Sequence, residues 1–178
     1  MQRTVQHSQI YTGTAHPLKG QNINRIFIKS IKPTGSFEGY ASTFDVDSQK
    51  DIVMPGAFQH SLKKWRKQKK WPFMLWQHRM HEPIGTWTSM QEDTKGLYVK
   101  GQLLLNLQKA REVYTLLLKG ILDGLSIGFQ PQISRLMRYP RLRKIFQLHL
   151  IEVSIVSIPA NRFACVSHIK SQICGRNI

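Results

Sequence analysis

Three side chains of this sequence have the types that nucleophilic catalysis requires: a serine, a histidine and an acid. Ser126 lies at the centre of the run GLSIG at 124–128, which matches the G-x-S-x-G pattern of a serine nucleophile on a sharp turn. That pattern normally joins a strand to a helix, whereas here a predicted helix precedes the serine and a β-like run follows it. A structural Gly-Ser-Gly turn explains such a match equally well, so Ser126 needs support from other residues.

The acid, Glu152, stands in the middle of the run LHLIEVSIVSI at 148–158. Apolar side chains alternate on both faces of this predicted strand, which indicates that it is buried. A buried carboxylate is costly unless a cation or several hydrogen-bond donors meet it. The sequence therefore predicts a designated partner for Glu152, either a histidine or a buried Arg or Lys.

The histidine, His78, ends the apolar run PFMLWQH at 72–78 and is followed by polar residues. Its imidazole is therefore predicted to lie where a core strand reaches the surface, which suits a general base. His81 is a nearby rival, and a hydrogen-bonded bystander is the ordinary alternative. The spacing of His78, His81 and Glu82 is not the helical H-E-x-x-H pattern and lacks a third ligand, so we expect no metal and no cofactor. His78, Ser126 and Glu152 together supply a base, a nucleophile and an acid that orients the base.

Length and composition predict one folded domain. The chain has 178 residues, of which 41% are hydrophobic and 20% charged, so it can bury a core and is not disordered. We expect a mobile leader at 1–22, the domain at 23–168 and a short polar tail at 169–178.

The longest uncharged stretch is too short to span a membrane, and the polar N-terminus predicts no secretory signal, which together favour a cytoplasmic protein. Cys165 and Cys174 form no CxxC pair, which argues against a disulfide framework or a zinc module.

The charge is strongly positive: 26 Lys and Arg against 10 Asp and Glu give a formal net charge of +16. The cations cluster with two tryptophans at 63–71, and a second cluster, without tryptophan, lies at 135–144. Basic residues beside aromatic rings could bind phosphates and stack on bases, which makes nucleic-acid binding one hypothesis. The first cluster also fits an ordinary amphipathic surface helix, with Phe58, Leu62 and Trp65 on one stripe and lysines on the other face.

The pattern along the chain predicts about seven short strands and two helices. A hairpin is predicted around residues 33–35, and the helices at about 56–70 and 107–119, with Pro55 opening the first and Gly120 ending the second. The strands are expected at 72–78, 85–90, 96–105, 125–129 and 144–156, besides those of the early hairpin. We therefore expect a mainly β fold with helices (α+β), either a β-barrel or a sheet that carries helices.

Several short segments of the sequence, in fixed order, resemble the prohead maturation protease family of tailed bacteriophages. They are FEGYASTF at 37–44, DIVMPGAF at 51–58, LWQH at 75–78, PIG at 83–85, GLYVKG at 96–101, GLSIGF at 124–129 and LIEVSIVSIPAN at 150–161. The resemblance covers roughly residues 24–168. Several consecutive words in order are far more specific than any single motif.

The resemblance implies a serine endopeptidase related to the herpesvirus assembly proteases, with their β-barrel surrounded by helices. It makes His78 the general base, Ser126 the nucleophile and Glu152 the third member, where the herpesvirus relatives have a histidine. His149 lies an odd number of residues from Glu152 and faces the other side of the strand. Backbone N–H groups near Ser126, that of Ile127 first, are the oxyanion candidates, and Arg162 is a second one suggested by arginines in the herpesvirus relatives.

The resemblance also implies the biological role. The family's proteases are enclosed in the immature shell in the host bacterial cytoplasm, where they cut a scaffolding protein or a scaffold-like N-terminal segment of the capsid protein, and trim themselves. Because herpesvirus relatives act as dimers, self-association is an expectation, and any nucleic-acid binding is expected to be non-specific. The alternatives are a basic, β-rich nucleic-acid-binding protein and a prophage relic that keeps the fold but no longer cleaves.

Overall fold

Eight strands and two helices make up the part of the chain that this computed structural model describes, residues 31–173. In chain order they are β1 (Ile31–Thr43), β2 (Asp51–Val53), α1 (Gln59–Lys67), β3 (Phe73–Trp76), β4 (Pro83–Glu92), β5 (Gly96–Leu103), α2 (Gln108–Leu118), β6 (Gly124–Met137), β7 (Leu142–Val156) and β8 (Val166–Ile173). None of the described helices has the length and apolar character needed to cross a membrane.

The strands form one sheet that curls round until its two ends meet. Its order is β2-β7-β3-β4-β5-β1-β8, and β6 pairs with β7 beside this path. Gly124 at the start of β6 forms a β-bridge with Cys165, and the Val166 N–H donates to the Asp123 carbonyl at 2.8 Å. These bonds join β6 to the start of β8, so the sheet closes into a barrel at this end. The mainly β fold with helices is confirmed.

Strand β7 is the longest element, and four different partners cover one of its edges. Strand β2 pairs with its first residues and β3 with its last, both in parallel. In the gap between them the Leu148 N–H donates to the Ala57 carbonyl, the Leu150 N–H donates to Ser61 Oγ, and Trp65 Nε1 donates to the Leu150 carbonyl. Loop and helix atoms therefore complete the hydrogen bonds of β7 where no strand reaches.

Both predicted helices are confirmed, and each buries one stripe, but Pro55 does not open the first: it lies in a turn, and the helix begins at Gln59. Helix α1 buries Ser61 and Leu62 against β7 and β4, and the Glu92 carboxylate accepts hydrogen bonds from the Gly56 and Phe58 N–H groups just before the helix. Helix α2 packs against β4 and β5 through a stripe of buried side chains: Ala110, Val113, Tyr114 and Leu117. It ends at Leu118, and Gly120 just beyond it has a φ of 63°, in the left-handed region that favours glycine.

The hairpin predicted around residues 33–35 is wrong. Strand β1 runs from Ile31 to Thr43 without reversing and pairs with β8 on one edge and β5 on the other. The turn-forming residues Pro33 and Gly35 lie instead at a register shift between β1 and β8, where a bulge accommodates a proline and a glycine with a φ of 71°. Residues that locally favour a turn thus form a bulge, because β1 is hydrogen-bonded to other strands along both edges.

The end of the domain also differs from the sequence pattern. Strand β8 continues past the expected boundary at residue 168, and residues 169–173 pair with β1. Pairing with a distant strand supplies backbone hydrogen bonds that the polar composition of this segment does not reveal. The predicted leader at 1–22 and Cys174 lie outside the described residues.

Candidate active site

Ser126 lies within the paired part of strand β6, opposite Ser154 of β7. Ser126 is 7% exposed. It does not lie on a sharp strand-to-helix turn, because β6 continues past it to Met137. The mismatch with the usual G-x-S-x-G context, noted in the sequence, is therefore real. The flanking Gly124 has a different reason to be small: a Cβ there would lie 2.5 Å from the Val156 carbonyl oxygen.

The next pair on the same face of these two strands is Gly128 and Glu152. A Cβ on Gly128 would lie 2.2 Å from Oε1 and 2.9 Å from Cδ of Glu152. The glutamate side chain therefore occupies the space that any larger residue at 128 would take. The second glycine of the motif makes room for the acid, two residues along from the serine.

The backbone beside Ser126 presents a donor at an open strand edge. Leu125 donates its N–H to the Ala164 carbonyl at 3.0 Å, on the side of β6 that faces away from β7. N–H groups along an antiparallel strand point alternately to its two sides, so the Ile127 N–H points to the same side as that of Leu125. Within residues 31–173, no strand pairs with β6 on that side at Ile127.

His78 reaches this face from the end of strand β3. Trp76 is the last residue of β3 and pairs with Ile155, and the Gln77 N–H still donates to the Ile155 carbonyl at 3.1 Å. Gln77 and His78 then have φ values of 51° and 58°, a left-handed turn that is unusual for residues with a side chain. The turn brings the imidazole back over the sheet, where Nδ1 lies 2.7 Å from Glu152 Oε1.

A buried hydroxyl completes the contacts of the acid. Ser154 Oγ donates to Glu152 Oε2 at 2.6 Å and accepts the backbone N–H of His78 at 3.1 Å. Ser154 is fully buried. The sequence analysis missed this residue, although a signal was present: it is the polar side chain two positions from Glu152, and hence on the same face of a buried strand.

The partner predicted for Glu152 is thus a histidine, and the alternative of a buried Arg or Lys is wrong. The Glu152 side chain is 4% exposed and that of His78 45% exposed. The hydrogen bond from His78 to Glu152 raises the pKa of the imidazole above its ordinary value of 6.5, against the opposing effect of burial. Because an ionised carboxylate only accepts hydrogen bonds, the proton on this ring lies on Nδ1, and Nε2 is the basic nitrogen of the neutral form.

A cavity of about 520 Å³ opens beside this cluster. Ser126, Ile127, Gly128 and His78 line one part of it. Its other lining residues come from the end of β1, the loop that follows, β2, β6, β7 and the loop after β7: Ala41, Ser42, Thr43, Asp45, Asp47, Ser48, Gln49, Asp51, Val53, Phe129, Pro131, Arg143, Ile158, Pro159, Ala160 and Asn161. Glu152 is not among them, so the acid lies behind the histidine rather than in the cavity.

Two polar contacts hold the far walls of the cavity. Arg143 donates Nε to Asp51 Oδ1 at 2.8 Å, and its Nη2 contacts Oδ2 of the same carboxylate. Asn161 Nδ2 donates to the Thr43 carbonyl at 3.0 Å and its Oδ1 accepts the Thr43 hydroxyl at 3.0 Å. These bonds tie β2 to β7 and the loop after β7 to β1, and three of the four residues that make them, Asp51, Thr43 and Asn161, are buried.

A profile of the caudovirus prohead serine protease family matches residues 25–175. The chain belongs to this family. The match covers all of the described barrel and both of its helices.

Individual relatives agree with that membership. The prohead protease of Enterobacteria phage HK97 is 38% identical over 141 residues, which cover 77% of this chain and 61% of the relative. The capsid polyprotein of Pseudomonas phage PAJU2 is 32% identical over 139 residues, 75% of this chain but 20% of that protein. The chain therefore spans less than two thirds of the length of either relative.

A solved structure shares the fold at low sequence identity. The capsid assembly protease of bacteriophage T4 superposes with a TM-score of 0.60 and 12% identity, covering 79% of this chain and 92% of that one. At this identity the likeness concerns the barrel and its helices. It agrees with the prohead protease fold expected from the sequence words.

Within this family member, the other candidate residues lie away from the cluster. Arg162 is exposed and its guanidinium carbon lies 4.5 Å from the Phe163 ring centroid, outside the cavity lining. The His149 ring stacks on Trp65 with the ring centroids 6.4 Å apart, on the other face of β7 as its spacing from Glu152 indicated. Among residues 31–173, His78, His81 and Glu82 form no group suited to a metal ion.

The basic cluster at 63–71 is the exposed face of an amphipathic helix, as one of the two hypotheses predicted. Phe58 and Leu62 are buried, while Lys63 and Lys64 point outward. The indole N–H of Trp65 is bonded to the Leu150 carbonyl, so this tryptophan serves the barrel rather than presenting a free stacking surface. The nucleic-acid-binding alternative is therefore not favoured.

Proposed function

We propose that this chain is a serine endopeptidase in which Ser126 is the nucleophile, His78 the general base and Glu152 the residue that orients the base. The observation that carries the proposal is the bond between His78 Nδ1 and Glu152 Oε1 at 2.7 Å, beside a serine in the same cavity. Family membership supports a peptidase independently of this geometry. A base, an orienting acid and a nucleophile are the parts that acyl transfer needs.

In the proposed mechanism, Nε2 of His78 takes the proton of the Ser126 hydroxyl as Oγ attacks the scissile carbonyl carbon. Collapse of the tetrahedral intermediate breaks the peptide bond, and the proton passes from His78 to the leaving amine. Water then attacks the acyl-enzyme and gives a proton to His78; the ester bond to Ser126 Oγ breaks, Oγ takes that proton back from His78, and the free acid leaves. Within residues 31–173 Ser126 and His78 line the same cavity without a hydrogen bond between them, and the proposal requires the hydroxyl to reach Nε2 once substrate is bound.

The Ile127 N–H is the proposed oxyanion donor. It follows the nucleophile directly, lines the cavity and points to the open edge of β6. A fixed backbone donor at that place stabilises negative charge as it develops on the carbonyl oxygen. Arg162 has no part in this proposal because its side chain does not line the cavity.

The proposed substrates are a scaffolding protein, or the N-terminal segment of a capsid protein, and the chain itself. Support comes from the relatives: one is named a prohead protease, one a capsid polyprotein and one a capsid assembly protease. We place the reaction inside the assembling prohead in the host bacterial cytoplasm, and self-association as a dimer belongs to the same proposal.

The test is co-expression of the full chain with a candidate capsid or scaffolding protein, followed by intact-mass measurement of every chain. Ser126→Ala should abolish all new products, while Ser134→Ala, an exposed serine on the same strand, should leave them unchanged. Products that appear only with an intact Ser126 would support the protease and locate its cleavage sites. Identical masses with wild type and Ser126→Ala, with the partner shown to assemble, would contradict the proposal and favour an inactive relic.

A further inference from the structure

The least expected polar group of the barrel is the Ser154 hydroxyl. It stands in a strand where Val153, Ile155 and Val156 are all buried and apolar, and it is itself fully buried. A hydroxyl buried in such surroundings costs free energy unless both its donor and its acceptor capacity are used. Here both are used, and both partners belong to the proposed catalytic group.

Three hydrogen bonds among His78, Ser154 and Glu152 form a cyclic network. The His78 backbone N–H donates to Ser154 Oγ, the Ser154 hydroxyl donates to Glu152 Oε2, and Glu152 Oε1 accepts from the His78 ring. One hydroxyl therefore fixes two things at once: the direction of the carboxylate and the backbone of the left-handed turn that carries the imidazole. Linked hydrogen bonds of this kind also strengthen one another.

We propose that Ser154 is a positioning residue for the proposed triad, which holds Glu152 and the His78 turn in the geometry that aims the imidazole, and that Gly128 leaves the space this arrangement needs. The inference rests on the proposed function for its catalytic consequence. Among the described residues Ser154 is not part of the cavity lining, and its two hydrogen bonds go to His78 and Glu152, so it acts through them.

Gly128 makes the same point by steric means. The three atoms nearest to a Cβ at this position all belong to the Glu152 side chain, at 2.2 to 2.9 Å. An alanine there would push the carboxylate away from the imidazole without removing any hydrogen-bonding group. Loss of the Ser154 hydroxyl and gain of a methyl group at Gly128 are thus two independent ways to disturb the same hydrogen-bond network.

The experiment compares the full chain carrying Ser154→Ala, Ser154→Thr, Gly128→Ala or Ser61→Ala. Ser61→Ala is the matched control, because Ser61 is also fully buried and its hydroxyl also accepts a backbone N–H, that of Leu150 on the same strand. Two quantities are measured: the rate at which a fluorophosphonate labels Ser126 across pH, and the pKa of His78 by NMR. In the labelling step the serine oxygen bonds to phosphorus, fluoride leaves and the serine proton passes to His78.

Ser154→Ala and Gly128→Ala should each slow labelling by about 10- to 100-fold, because a displaced base costs that much. The same variants should lower the pKa of His78 toward its ordinary value of 6.5, because the hydrogen bond that its ring donates to Glu152 is the main cause of the raised pKa. Ser154→Thr keeps the hydroxyl and should recover most of the rate. Ser61→Ala should change neither quantity, whatever it does to stability.

The proposal is overturned if Ser154→Ala matches Ser61→Ala in both measurements. If Ser154→Ala does not fold, Gly128→Ala decides alone, and an unchanged His78 pKa in that variant also overturns the proposal. A wild-type chain that is not labelled at all counts against the proposed function, while the His78 titration still tests the positioning role. The two failures are therefore distinguishable.

Discussion

The hairpin of β6 and β7 has two ends that behave very differently. Its inner end, residues 124–130 and 148–156, forms part of the closed barrel and carries Ser126, Glu152 and Ser154. Its outer end, residues 131–147, is mostly exposed and carries a cluster of cations: Arg135, Arg138, Arg141, Arg143 and Lys144. At the inner end the hydroxyl and carboxylate of Ser154 and Glu152 have named partners, whereas at the outer end Arg135 lies directly opposite Lys144, a pair of like charges.

This difference shows that the strongest signal in the composition is not where the proposed chemistry lies. The net charge of +16 describes surfaces such as the outer end and the exposed face of α1. Arg143 is the member of the outer-end cluster with a buried partner, Asp51, whereas exposed cations such as Arg135 remain hydrated. The proposed catalytic group is a small set of polar side chains that includes one buried carboxylate, which hardly affects the composition.

The largest contrast between the two ends is expected in activity. Glu152→Gln keeps the size of the acid but removes its charge, so it no longer orients and stabilises the protonated imidazole. Cleavage of the proposed capsid or scaffolding substrate should fall by about 1,000- to 10,000-fold, the effect of such a change in other triads. Arg135→Gln places the same amide at the outer end and should change the rate by no more than about twofold. Equal effects of the two variants on cleavage kinetics would remove the distinction.

Stability should separate the two ends next. Leu148 is fully buried at the inner end, and Leu136 is 62% exposed at the outer end. Leu148→Ala should lower the free energy of unfolding by about 2–5 kcal/mol, because it removes core contacts and leaves a cavity. Leu136→Ala should change it by less than about 0.5 kcal/mol. Urea denaturation of both variants measures this, and similar losses would mean that the outer end also belongs to the core.

The smallest effect concerns the pH dependence of stability, and it sharpens the description of the inner end. The pKa of His78 is raised above 6.5 in the folded state. The stabilisation from its pairing with Glu152 is therefore fully present below pH 6.5, and it is lost as the pH rises through the higher pKa of the folded state. The difference in free energy of unfolding between wild type and His78→Gln should therefore be larger at about pH 6 than at about pH 9. This change with pH should be less than about 1 kcal/mol, because the ring is half exposed.

The control for that measurement is the same substitution in a Glu152→Gln background. There the difference should disappear or reverse its sign, because the carboxylate that favours the protonated ring is gone and only the opposing effect of burial remains. A pH dependence of the original sign that survives in this background would assign the raised pKa of His78 to some other group.

Much of this site could be predicted residue by residue. The apolar strand around Glu152 indicated a buried acid that needs a partner, and the end of the run before His78 placed a histidine near the surface. The position of His149 on the opposite face followed from strand alternation alone. These predictions succeeded because each depends on the periodicity of a single strand, which neighbouring residues set.

Other features could not be predicted, since they depend on residues far apart in the chain. The turn at Pro33 and Gly35 became a bulge because β1 has pairing partners on both edges. Trp65 became a donor to β7 because no strand covers that part of its edge. Ser154 gained its importance from the register that sets it opposite Ser126 and from the left-handed turn of His78.

The sequence by itself determined the mainly β character, both helices, and the three residues to which we give the catalytic roles. Only the tertiary structure decided that His78 meets Glu152, that Ser154 links them, and that Gly128 leaves the room. The physical reason is one of range. Side-chain type and alternation are local properties of a strand, whereas contact between strands is fixed by register and closure of the barrel, which minimise the free energy of the whole domain.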